Sequence, residues 1–246
     1  MTNLAASVRA LTEPIGDLGG RWMLHPEVLG SCREVGYPNG YAYYVVGRGG
    51  VLGDVDADVV TSAFGFFHPA LVRTMWERGV AVEGARASAA RYGQACAQFG
   101  RTRIAGFDGA ARLAELAGAV AAGADPAGLS LFAGWRAEPW PDDVEGRVAF
   151  LLHMLREFRG SVHVLAVVAA GLHPRDAVLA HGGADHGKQF GWPEPFAQVG
   201  PELPAAAEAL TDTILVQRYA EILGADECAE LVELVQALRA HIDARD

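Results

Sequence analysis

Val148-Ala-Phe-Leu-Leu-His-Met-Leu-Arg-Glu-Phe-Arg-Gly-Ser-Val-His-Val-Leu-Ala-Val-Val-Ala-Ala-Gly-Leu172 is the stretch whose reading decides how this chain folds. It is apolar on nearly every side, the pattern of one long buried helix. At about 100° per residue, His153, Arg156, Gly160 and His163 fall within an arc of roughly 80°. Glu157 lies beside His153 at the i, i+4 spacing, and Arg159 flanks the other side. Leu152 and Val167 point into the same sector. Buried ionisable groups cost several kcal/mol unless they are paired or face a polar cavity. The stripe therefore predicts a pocket. A salt-bridge network tying helices together is the competing reading. It accounts for Glu157 and one arginine but leaves two histidines on one stripe unexplained.

Outward from this segment the pattern stays helical. Short helices are expected at residues 4–11, 56–67, 69–77 and 126–135, with 82–99 set apart by a break near Gly79. Asp108 is placed to cap a helix with an apolar face of Ala111, Leu113, Leu116, Ala117 and Val120. Pro139-Trp-Pro-Asp-Asp143 is a loop ending in a cap for the long helix. Beyond it come a short helix at 174–181, an irregular loop at 182–195, and two amphipathic helices near 204–223 and 226–242. The one strand-like run is Tyr41-Ala-Tyr-Tyr-Val-Val46, which reads equally as a helical turn. Residues 16–53, rich in glycine and rings, read as a long aromatic loop packed on the helices or closing the pocket. The expected class is all-α, with helical regions at 1–135 and 136–246 that could also intertwine as one unit.

Composition limits the function. Hydrophobic residues make up 51% and charged residues 20% of the 246 residues, which fits a globular chain. No apolar run reaches the roughly 18–20 residues of a bilayer span, and no basic-then-apolar leader opens the chain. A cytoplasmic location and no membrane partner are the expectation. Cys32, Cys96 and Cys228 have no C-x-x-C spacing and read as reduced thiols. The net charge of −10 argues against a nucleic-acid partner, since phosphate affinity rests on Lys and Arg. Lys188 is the sole lysine, so the arginines reflect genome composition as much as function.

His163 is the candidate acid–base residue, with Glu157 as its orienting carboxylate and Arg156 and Arg159 as anion contacts. Gly160 would let a ligand or helix approach closely. Three His-Pro pairs, at His25, His68 and His173, mark helix starts with proline at the first helical position. His68 is the strongest exception, because it follows Phe64-Gly-Phe-Phe67, an aromatic run suited to an apolar cavity. Phe67, His68, His181 and Lys188 complete the candidate ligand contacts. The last two belong to His181-Gly-Gly-Ala-Asp-His-Gly-Lys-Gln-Phe-Gly-Trp192, where Asp185 could orient His186. This loop lacks the P-loop frame, since Gln189 follows Lys188. His68, His163 and His181 are the candidate metal ligands, with Glu157 or Asp185. Zinc, iron or haem would suit such a set, but H-E-x-x-H and E-x-x-H are absent and no cofactor is named. With no G-x-S-x-G, a serine nucleophile is not expected.

Residues 155–172, followed by Asp176-Ala-Val-Leu-Ala-His181, resemble a largely uncharacterised actinobacterial helix-turn-helix family described as SalK-like. Phe67-His68-Pro69 and Trp140-Pro-Asp-Asp143 resemble it too, so the likeness covers about residues 64–181. The family pattern has His where Phe158 stands and an acidic residue where Val162 stands. The resemblance implies a helical fold of winged-helix ancestry and no established activity. The match fades after Gly182, which with the acidic charge points away from DNA. The resulting expectation is a homodimeric small-molecule-binding protein, an enzyme of specialised metabolism. The alternatives are a non-catalytic sequestering protein and a degenerate transcriptional regulator.

Overall fold

The computed structural model describes residues 2–245, with Thr2 and Ser31 as backbone only. Among them are twelve α-helices, one 3-10 turn and no strand. In order these are α1 (Thr2–Leu18), α2 (Pro26–Val35), α3 (Gly40–Gly49), the turn Gly50–Leu52, α4 (Ala57–Phe64), α5 (Pro69–Glu83) and α6 (Ala85–Arg103). They continue with α7 (Ala110–Gly123), α8 (Ser130–Ala137), α9 (Val144–Ala169), α10 (Pro174–Gln189), α11 (Glu202–Ala220) and α12 (Ala225–Asp243).

The all-α expectation holds, and α9 is the helix the sequence announced. Asp143 caps it, accepting the Gly146 amide at 2.8 Å. α1, α6, α7, α8, α10 and α11 all pack on it. Between Val148 and Phe158 it is buried on nearly every side, through Val148, Phe150, Leu151, Leu152, Met154, Leu155 and Phe158. Each such side chain contributes about 1.5–3 kcal/mol to the apolar core. One core cluster runs from Leu4 in α1 to Ile242 in α12. Past Gly160 the burial becomes one-sided, and Leu165 and Val168 reach solvent.

The aromatic segment at 16–53 is mostly helix rather than loop. Asn39 caps α3 by accepting the Ala42 amide at 2.9 Å. The strand-like Tyr41–Val46 run is the middle of that helix. Tyr43, Val45 and Val46 are each 0% exposed, because α3 lies between α5 and α6 and its polar period is lost. Gly79 does not break a helix either. A Cβ there would sit 2.7 Å from Val46 and 2.8 Å from the Ala42 carbonyl, so the glycine lets α5 close on α3. Gly84, at φ +82°, makes the break. α7 is capped from Gly109, not Asp108, and without a side-chain cap. The apolar faces of α11 and α12 are spent within the chain, against α9, α1 and α7.

α9 and α10 meet at 115° across residues 170–173. Gly171 takes φ +72° in that turn and Leu172 tucks inside. His173 caps α10 through Nδ1, which accepts the Arg175 amide at 3.1 Å. The segment read as an irregular loop at 182–195 is helical up to Gln189, with a kink at Gly182 and Gly183.

Candidate functional site

The polar stripe of α9 divides after its first residue. His153 is fully buried, edge-on to Trp135 and Trp22 at ring separations of 4.5 and 5.1 Å. Among the described residues neither ring nitrogen has a well-aligned hydrogen-bond partner, and the Gly19 backbone exerts only a minor pull on the ring. Burial depresses its pKa to about 3, so the imidazole is neutral and acts as an aromatic core residue.

One turn on, Glu157 is also fully buried but ionised. Arg48 of α3 grips it with a two-pronged contact, Nε to Oε1 and Nη2 to Oε2, both 2.8 Å. Burial alone would raise the Glu157 pKa, but the Arg48 charge and its hydrogen bonds, with Arg156 beyond, hold it down to about 2. Arg48 donates further to the Tyr44 hydroxyl at 3.2 Å and lies 4.4 Å from the Phe64 ring centre. Arg156 approaches the same carboxylate, donating from Nη1 to Oε1 at 3.0 Å. Arg48 is the site residue that sequence reasoning missed. The signal was there: one guanidinium, four residues after Tyr44, in an otherwise apolar helix.

Beyond this network a cavity of about 730 Å³ opens between α3, α4, α9, α10, α11 and the end of α1. Arg48, Arg156, Arg159, Gly160 and His163 line it on the polar side, and Phe64, Phe66, Phe67 and Phe190 on the apolar side. A second hollow of about 450 Å³ shares Tyr44, Phe67, Arg156 and Phe190 with it. Gly160 faces open space, with nothing within 4 Å of a Cβ built there.

His163 Nδ1 lies 2.9 Å from the Thr211 hydroxyl, which also reaches the Ala207 carbonyl at 2.8 Å. Nε2 lies 3.6 Å from a Glu208 carboxylate oxygen. Burial lowers the His163 pKa, and the charges of Arg159 and His181 add to this against the opposing pull of Glu208. Arg159 pairs with Glu208 at 2.8 Å.

The other sequence candidates are scattered. Phe67 and His181 line the cavity, together with His186. His68 stands at the N-cap of α5, accepting the Ala70 amide at 3.2 Å with its ring against Trp192. His25 and His173 cap their helices in the same way. Lys188 points outward into an ion pair with Glu194 at 3.0 Å. His68, His163 and His181 do not converge. Among the described residues no three His, Cys, Asp or Glu side chains come together to hold a metal ion.

The model of a helix-turn-helix family matches residues 5–246, nearly the whole chain. The chain belongs to that helix-turn-helix family. The match extends well past the 64–181 window of the sequence resemblance and through the segment after Gly182 where the likeness had faded. No curated protein and no solved structure matches the sequence. Membership overturns the expectation that nucleic acid is excluded as a partner, because helix-turn-helix is an architecture that reads DNA. The expectation failed because net charge describes the whole surface, whereas groove contact needs only a few local cations. No single helix among the described residues is long and apolar enough to cross a membrane.

Proposed function

We propose that this member of the helix-turn-helix family is a ligand-responsive regulator, with nucleic acid as its partner and a small molecule as its signal. One observation carries the reading: the helix pair with helix-turn-helix geometry also walls the cavity. α9 and α10 cross at 115° through a four-residue turn containing glycine, within the 90–120° range of the motif. From the same pair, Arg156, Arg159, Gly160 and His163 of α9 and Ala177, Val178, His181 and His186 of α10 face the cavity. A ligand that fills the cavity touches both helices, and so biases their angle by its differential affinity for the two arrangements.

The working form in this reading is a cytoplasmic homodimer, near the SalK-like, actinobacterial members by its 155–181 residues. Arg175 and Lys188 are the cations α10 offers to phosphate, both already ion-paired. Binding is therefore expected to be weak at high salt, with a slope of roughly −2 per protomer in log K against log salt. Selection of genomic DNA fragments on the purified protein at low salt, followed by fluorescence anisotropy across a salt series, tests this. Enrichment of defined sequences supports the proposal, and failure to enrich any sequence overturns it.

His163 favours a second reading, an enzyme of specialised metabolism. Its imidazole lines the cavity, with Thr211 holding the ring at Nδ1. A metabolite that the native protein consumes and His163→Gln leaves intact would replace the regulator reading.

A further inference from the structure

Around Glu157 two guanidinium groups share one carboxylate. Arg48 occupies both oxygens, and Arg156 adds a single hydrogen bond to one of them. The Nε and Nη2 groups of Arg156 have no partner among the described residues. Arg159 is balanced by Glu208, and Glu13 and Asp17, which also line the cavity, are paired with Arg239 and Arg21. The inner cluster of Arg48, Arg156 and Glu157 thus keeps one positive charge, at the wall of a cavity rather than in bulk water. Arg156, partly exposed at the cavity wall, carries that excess, and a charge-assisted pair with an anion there is the stronger kind of hydrogen bond. Arg156 lines both hollows and its side chain is 30% exposed, so an anion in either hollow can reach the guanidinium.

Rings line the same cavity. Phe67 and Phe190 stack at 4.3 Å, Phe64 lies 5.7 Å from Phe67, and Phe66 lies 5.6 Å from His163. A volume of about 730 Å³ falls within the roughly 300–1,000 Å³ of pockets that enclose a multi-ring molecule.

We propose that the cavity binds an aromatic carboxylic acid, its carboxylate forked by Arg156 and its rings held against Phe64, Phe66, Phe67 and Phe190. The fork follows from guanidinium geometry, in which two parallel N–H donors match two carboxylate oxygens. This deepens the regulator reading and rests on its claim that the cavity takes a small molecule.

Titration calorimetry with 2-naphthoate, its neutral isostere 2-naphthamide, and decanoate tests the proposal on the native protein. The acid is expected to bind at least about tenfold more tightly than the amide. Arg156→Gln should bring the acid down to the amide's affinity and leave the amide unchanged, with Arg156→Lys between. Decanoate, with the same head on a flexible tail, should bind more weakly than naphthoate. Equal binding of acid and amide overturns the anion claim while the cavity reading stands. A preference for decanoate overturns the aromatic claim. Binding of none of the three at millimolar concentration overturns both the proposal and the small-molecule reading beneath it.

Discussion

Two neighbours on the polar stripe of α9 behave as opposites. His153 and Glu157 are one turn apart on the same helix, and both are fully buried. His153 sits among indole rings, loses its proton and becomes an apolar packing group. Glu157 meets Arg48, keeps its charge and anchors a polar wall that opens into a cavity. Burial therefore does not decide the state of a titratable side chain. What decides it is whether the neighbouring helix delivers a counter-charge.

Removing the carboxylate breaks this contrast most severely. Glu157→Ala leaves Arg48 buried without its partner and is expected to cost about 3–5 kcal/mol in urea unfolding. The paired replacement Arg48→Met with Glu157→Leu should regain most of that. A double variant as unstable as the single one would show that the pair does more than balance charge.

The two groups also differ in their pH windows. His153 has its pKa lowered from 6.5 to about 3 on folding, so the unfolded chain takes up a proton that the folded one refuses. Stability should fall as pH drops below 6.5, by about 1.4 kcal/mol per unit, or about 2 kcal/mol between pH 6.5 and 5. Glu157, lowered from 4.5 to about 2, contributes fully above 4.5 and loses that contribution progressively as pH falls from 4.5 to about 2. Unfolding of His153→Phe at pH 7 and pH 5 separates them. The variant should lose the slope above pH 5, and an unchanged slope would place the sensitivity elsewhere.

Gly160 sharpens the comparison from the cavity side. Its Cβ position is open, so Gly160→Ala should raise stability by about 0.5–1 kcal/mol through helix propensity. A loss would mean that the wall closes there in solution. The smallest effect belongs to Lys188→Ala, which removes only an exposed ion pair with Glu194. It should change stability by less than about 0.5 kcal/mol, while steepness in the salt dependence of DNA binding should fall by about one.

Much of this molecule was legible before folding. The period and apolar content of 148–172 gave the central helix, and His-Pro pairs marked the starts of α2, α5 and α10. The aromatic segment was misread because α3 is buried on both faces, which erases the periodicity that identifies a helix. Gly79 was misread for a related reason: a glycine that breaks a helix and one that admits a neighbouring helix look alike in sequence.

Local chemistry determined that α9 would form and that its polar residues would share a face, because both follow from 3.6 residues per turn. Only the tertiary structure decided what each polar group would meet. Arg48 is 109 residues from Glu157, and Trp22 and Trp135 reach His153 from the segment after α1 and from α8, respectively. Such contacts depend on chain crossings that no local pattern encodes. They turned one end of the stripe into core and the other into a cavity wall.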